Sequence, residues 1–222
     1  MNIFNGGSMP AMWTPMCGQT WASAAASFVG TWTVMMIAMM LPSFAPTLWR
    51  YRHTLVTKAR GRAALLTMLV FVGYCAVWAA LGFGVFVSAA AWAALALRMP
   101  LSMRAGPMAV SVAVLLAGAL QCTSWKLRYL TCCRVALKAD DASNVCASGA
   151  VRHGLRLGLH CNCCCAAFTA ALIATGTMNI LAMTLLTAAI TLERFAPHGD
   201  RVARAIGGVM GATGLWMMLR AA

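Results

Sequence analysis

Residues 160–165 read His160-Cys161-Asn162-Cys163-Cys164-Cys165, four cysteines and a histidine in six positions. They lie inside residues 157–192, a run of 36 positions without an acidic, lysine or arginine side chain. Disulfide staples suit small secreted domains, not the middle of a segment apolar enough to span a bilayer. Thiolate and imidazole are soft ligands, so the chemistry that fits this run first is metal binding. With Cys161 at zero on a helical wheel, Cys165 falls near +40° and Cys164 near −60°, one face about 100° wide. His160 lies about 40° from Cys164, whereas Cys163 falls near 200°, on the opposite side. Adjacent residues of one helix cannot complete a coordination shell by themselves, so a second helix has to supply donors.

The best-matched donors are thioethers. Met35, Met36, Met39 and Met40 share an arc of roughly 140° at the end of an uncharged first segment. Cys133, in Cys132-Cys133-Arg134, is a candidate third contributor. The expected metal site is therefore Cys161, Cys164 and Cys165 with Met36, Met39 and Met40, and Met35, Cys133 and His160 beside it. Thiolate plus thioether selects Cu(I) over zinc, iron or manganese. Zinc calls for a closed Cys/His set with paired C-x2-C knuckles, and only Cys161-x2-Cys164 has that spacing. A packing explanation covers isolated cases such as Cys75, Met68 or Met210, because cysteine is small and methionine fills gaps. It covers the clusters poorly. Met9, Met12, Met16 and Cys17 are soft too, but nothing fixes their geometry.

The elements that must position these residues are membrane spans. Of 222 residues, 62% are hydrophobic and 9% charged, with a mean hydropathy of +0.79. A soluble domain carries about a quarter charged residues, so this is the composition of an integral membrane protein. The formal charge of +13 would suggest nucleic acid in a soluble protein. Here the basic residues sit in short loops between apolar runs, where they orient a membrane protein, and no nucleic-acid partner is expected.

Taken in order, residues 1–20 form a Met-rich non-helical lead-in, and residues 21–222 form one transmembrane metal-binding domain. A first span covers residues 21–41, with Pro42 and Pro46 kinking or ending it. A basic loop follows at 50–62. Residues 63–97 are uncharged, longer than the roughly 20 residues one crossing needs, and are read as a helix to residue 87 followed by an interfacial segment. A third span runs from Gly106-Pro107 to about Trp125, and a hydrophilic loop from 126 to 156. As a single helix, residues 157–192 would be about 54 Å long, so Thr175-Gly176-Thr177 splits them into spans four and five. Pro197-His198-Gly199-Asp200 turns into a sixth span at 202–219. The expected fold is an all-α, polytopic transmembrane helix bundle of about six spans.

The loops after spans one, three and five carry five, six and three Lys and Arg, against two and none after spans two and four. The positive-inside rule then puts both termini outside and the richer loops in the cytoplasm, as for a bacterial inner-membrane protein. Span four enters from the cytoplasm with His160 to Cys165 in its first turns. The Met cluster, Cys122, Cys132 and Cys133 lie on that same side. Reducing surroundings there keep thiols free and copper as Cu(I).

Catalysis has little to work with. The acids are Asp140, Asp141, Glu193 and Asp200, all near loops, and Glu193 reads as an interfacial charge or a partner for an arginine. No hydrolytic frame accompanies the cysteines.

Trp32-x2-Met35-Met36-x2-Met39-Met40-x-Pro42-x3-Pro46 resembles the opening motif of a bacterial family of integral membrane proteins described as metal-binding and copper-chaperone-like, with a link to a copper polyphenol oxidase. The family's C-x2-C-C matches Cys161, Cys164 and Cys165, and its G-x-M-N-x3-M hairpin matches Gly176, Met178, Asn179 and Met183. Lys126, Cys133-Arg134 and Glu193 match further motif positions. The resemblance covers about residues 21–194. Cys163 stands where the family usually has a small residue, Ala166 where it commonly has Trp, and an additional helix that many members carry before the lead-in is not found here. The resemblance implies a non-enzymatic, copper-binding membrane protein with an apo-cuproenzyme client.

The expectation is thus a Cu(I)-binding membrane protein that holds or delivers copper by ligand exchange. A copper transporter, using Met178, Met183 and Met9 to Met16 as steps, is the first rival. A membrane thiol redox protein, using Cys164-Cys165 or Cys132-Cys133, is the second, disfavoured because vicinal cysteines form strained disulfides.

Overall fold

The computed structural model describes residues 20–58, 61–96, 105–136, 146–175 and 180–221, and every regular element among them is a helix. In chain order these are α1 (Trp21–Lys58), α2 (Ala63–Ala96), α3 (Ala105–Gln121), α4 (Ser124–Ala136), α5 (Ala147–Thr175), α6 (Ile180–Phe195) and α7 (Gly199–Ala221). Four are long and apolar enough to cross a membrane: Trp21–Val56, Ala63–Leu95, Ala147–Thr175 and Gly199–Arg220. Met108–Gln121 and Ser124–Thr131, bent by 60° at their junction, make a fifth candidate as a pair. With the 16-residue α6 added, the bundle has the about six segments expected. Val34, Trp49, Met68, Trp92, Ile180, Leu185, Val209 and Leu219 point outwards, the reverse of a soluble helix bundle, whose outer face is polar.

The core lies between α1, α2, α5 and α6. Along α1, Ala24, Phe28, Trp32, Met36, Met40 and Phe44 are all buried, one every fourth residue, which is the spacing that keeps side chains on neighbouring positions of a helix face. They pack with Tyr74 and Trp78 of α2 and with Cys161, Cys164, Cys165, Phe168 and Leu172 of α5. What lets α5 lie this close to α2 is the absence of side chains. A Cβ placed at Gly154 would stand 2.1 Å from the Val70 carbonyl oxygen. Small residues at such contacts let backbones approach where water does not drive the packing. On the far side, Gly118 of α3 is pressed in the same way against the backbone of Gly211 in α7, with 2.6 Å to its nitrogen for an added Cβ.

Several boundaries differ from those read in the sequence, each for a packing reason. Pro42 and Pro46 do not end α1, which runs on to Lys58. Both prolines are exposed while Ser43, Phe44 and Thr47 beside them are buried, so the rings project away from the core and the buried face continues past them. The expected basic loop at 50–62 is therefore largely helix. Tyr51 and Leu55 there join a second small core with Leu66, Val70 and Ala150, and Tyr51 stacks on His153 at 5.3 Å. α2 does not stop at residue 87. Gly82 sits under the Trp32 ring, 2.5 Å from its Cδ1 for an added Cβ. The alanine-rich sequence beyond is a strong helix former. The hydrophilic segment 126–156 also contains helix, α4 at its start and the first turns of α5 at its end. Because α5 begins at Ala147 and not at 157, Cys161 to Cys165 lie in the middle of a helix and not in its first turns. α5 ends at Thr175 and α6 begins at Ile180, on either side of the expected split.

If the α2–α5 seam depends on this approach, Gly154→Ala lowers the thermal midpoint of the purified protein, at a cost on the order of 1–3 kcal/mol. The open, exposed Gly84 behaves oppositely: Gly84→Ala leaves the midpoint unchanged or raises it, since alanine is the better helix former by about 1 kcal/mol. Equal effects at the two positions would contradict the seam.

Candidate metal centre

Three of the four cysteines in the 160–165 run turn inwards. Cys161, Cys164 and Cys165 are 4%, 2% and 1% exposed, whereas Cys163 is half-buried, as the helical wheel required. All three belong to one cluster with Met36, Met39 and Met40, which are buried on the facing side of α1. The Cys165 thiol points at the Met40 thioether, with Sγ 3.9 Å from Sδ. Met35 is half-buried at the edge of this cluster. His160 is half-buried and has interactions of its own. Cys133 lies on α4, but its side chain falls outside the described residues, as do Cys132, Met178 and the lead-in residues Met9, Met12, Met16 and Cys17. Cys122 belongs elsewhere: it is exposed, with its thiol 3.9 Å from the Arg204 carbonyl oxygen across α3 and α7. Among the described residues, no three His, Cys, Asp or Glu side chains form a set able to hold a metal ion.

The sulfur face is completed by groups that sequence reasoning did not assign to it. Arg194 of α6 directs one guanidinium N–H at Cys161 Sγ, 2.9 Å away, and the same nitrogen lies 3.6 Å from Cys165 Sγ. The Tyr74 hydroxyl of α2 stands 3.2 Å from Cys161 Sγ, held in place by a stack of its ring on Phe44 with centroids 4.1 Å apart.

Behind this face runs a buried ionic network. Lys126 and Glu193 are each 1% exposed and pair at 3.0 Å. The Lys126 ammonium also donates to the Cys164 carbonyl oxygen and sits 4.8 Å over the Phe168 ring. A carbonyl has two lone pairs, so Cys164 can accept this bond without leaving the α5 ladder. The other Glu193 oxygen accepts from the Gln121 amide. The bend between α3 and α4 makes this possible. Thr123 caps α4, its hydroxyl accepting from the Lys126 N–H at 3.5 Å, the usual work of a threonine at this position. The cap holds Gln121, at the end of α3, and Lys126, in the first turn of α4, on either side of Glu193. Glu193 is thus a buried partner of a lysine and not the interfacial charge its position near a loop suggested. One signal was available: Ile190, Glu193 and Arg194 are spaced i, i+3, i+4, the spacing of one helix face, and all three are buried.

A groove of about 790 Å³ opens between α1 and α6, lined by Met35, Met39, Met183, Thr184 and Thr187 among others. Met39 borders both this groove and the cysteine cluster.

A family model described as PpoB2, copper chaperone, matches residues 29–217, a range that takes in α1 from its third turn through most of α7. No curated protein and no solved structure matches the chain.

Removing one member of the ionic network strands the other. Lys126→Met or Glu193→Leu alone should destabilise by about 3–5 kcal/mol, read as a fall in the thermal or denaturant midpoint. The Lys126→Met/Glu193→Leu double variant should lose less than the worse single one, because it leaves no unpaired charge. A double variant whose loss equals the sum of the singles would mean that the two groups do not interact.

Proposed function

The chain belongs to the PpoB2 copper chaperone family, and we propose that its buried cysteine–methionine face holds Cu(I) and passes it to an apo-cuproenzyme by ligand exchange, without chemical catalysis. One observation carries this reading: the Cys165 thiol meets the Met40 thioether inside a core where Cys161, Cys164, Met36 and Met39 are also buried. A donor set of thiols and thioethers, with Glu193, the one nearby carboxylate among the described residues, engaged by Lys126, suits a soft, monovalent ion and suits zinc or a hard cation badly. Low-coordinate Cu(I) also permits transfer, since a client's thiolate or thioether can join before one of the chain's own sulfurs leaves. The apolar exterior and the length of α1, α2, α5 and α7 support a bundle embedded in a membrane, for which we infer the bacterial inner membrane from the distribution of Lys and Arg.

The groove between α1 and α6 favours a second reading, in which copper crosses the bundle by way of Met183, Met35 and Met39. Vesicles separate the two. A transporter accumulates copper in the lumen, whereas a holding protein binds it without net uptake.

Purified under reducing conditions, the protein should take Cu(I) from a chromophoric chelator, and the Cys161→Ser/Cys164→Ser/Cys165→Ser variant should lose that capacity. Met40→Leu, close in volume, should weaken binding to a smaller degree while the fold holds. Wild-type protein that takes up no Cu(I), or a triple variant that binds it unchanged, sinks the reading.

A further inference from the structure

The four methionines of the α1 stripe divide between two neighbours. Met36 and Met40 are each 1% exposed and lie within the cysteine cluster. Met35 and Met39, spaced i, i+4 and so on one edge of the helix, line the groove between α1 and α6. Met39 is buried in the cluster as well. Across the groove stands Met183 of α6, with Thr184 and Thr187 beside it. The Thr187 hydroxyl donates to the Met183 carbonyl at 2.7 Å and the Thr184 hydroxyl to the Leu181 carbonyl at 2.9 Å, so both are engaged by the backbone of their own helix. Among the described residues, no acidic or basic side chain lines the groove. Methionine in a core ordinarily fills gaps. Here three methionines border a space of about 790 Å³ that they leave unfilled. A cavity that offers three thioethers and no carboxylate suits a soft ion and gives a hard one little to bind.

We propose that Met35, Met39 and Met183 form a second Cu(I) site, built of thioethers alone, from which the ion passes to the cysteine cluster through Met39. This rests on the copper reading above and adds a station to it, without requiring net passage across the bundle. Neutral sulfurs leave the charge of the ion uncancelled in apolar surroundings, so the groove holds Cu(I) more weakly than thiolates do. Weak holding suits a site that must give the ion up. In the transfer Met39 keeps its S–Cu bond while those of Met35 and Met183 break and bonds to cysteine sulfurs form. Each thiol that joins gives its proton to water. Copper stays Cu(I) throughout, so no electron donor or acceptor is needed.

The test offers Cu(I) to the reduced full chain in detergent in two forms, bound to the chromophoric chelator and as its weak acetonitrile complex, with thermal midpoints to confirm folding. From the chelator only the cysteine site should fill. From acetonitrile the Cys161→Ser/Cys164→Ser/Cys165→Ser variant should still bind Cu(I). Adding Met183→Leu to that variant should weaken this residual binding about tenfold or more. Adding Met68→Leu, at an exposed position of α2 outside the groove, should leave it unchanged. With the cysteines intact, Met183→Leu should not alter the Cu(I) finally drawn from the chelator but should slow loading from acetonitrile about tenfold. Gly30 lines the groove with open space around it, so Gly30→Leu narrows the groove without touching a sulfur and should slow loading likewise. Where Met183→Leu does not fold, Gly30→Leu decides. Residual binding indifferent to Met183→Leu, or a loading rate that neither variant changes, overturns the proposal. Wild-type protein that takes Cu(I) from neither form is a separate result: it removes the copper reading itself, and this one with it.

Discussion

The ion pair between Lys126 and Glu193 is the constraint on which the arrangement of the core depends. Each charge is almost fully removed from solvent, and a buried charge left without its partner is costly. Satisfying them requires α6, which carries Glu193, the α3–α4 joint, which carries Gln121 and Lys126, and the middle of α5, whose Cys164 carbonyl takes a bond from Lys126. The pair therefore fixes the rotation of α5 about its axis. With the Cys164 carbonyl turned to Lys126, the thiols of Cys161 and Cys165 face Arg194 on the next residue after Glu193. A buried pair adds less to stability than apolar packing of the same volume would. Its contribution here is placement: an alternative rotation of α5 would forfeit the Lys126 bond to the Cys164 carbonyl.

Much of this was legible in the sequence, and the divide between what was and was not is physical. Periodicity reports which residues share a helix face, so Cys161, Cys164 and Cys165 could be grouped, Cys163 set aside, and Met36, Met39 and Met40 placed on a common stripe. Hydropathy and a small-residue break gave the separation of α5 from α6. Periodicity says nothing of which helices are neighbours. The contact of Cys165 with Met40 joins positions 125 apart, and that of Tyr74 with Cys161 positions 87 apart. A lone tyrosine in an apolar helix carries no mark that would single it out. Charge misleads in a consistent direction: basic residues read as loop markers, yet Lys126 is buried and Arg50, Arg52, Arg152 and Arg156 extend helices. The resemblance pointed to Lys126 and Glu193 without saying that they meet.

The two halves of the sulfur site are held by different forces, and that difference bears on exchange. The cysteines lie on α5, pressed onto α2 at Gly154 and held to α4 and α6 by hydrogen bonds from Lys126 and Arg194. The methionines are carried by α1 just ahead of Pro42 and Pro46. Each proline deprives the carbonyl four residues back of its helical donor, so the helix is least restrained next to Met39 and Met40. Thioethers are also long and unbranched and adopt several rotamers at little cost. Exchange at a two- or three-coordinate ion requires that one donor yield while the others hold. Under the copper-binding function proposed above, firmly held cysteines beside adjustable thioethers would meet that requirement in one place, and Met39 borders both the cluster and the groove toward Met183.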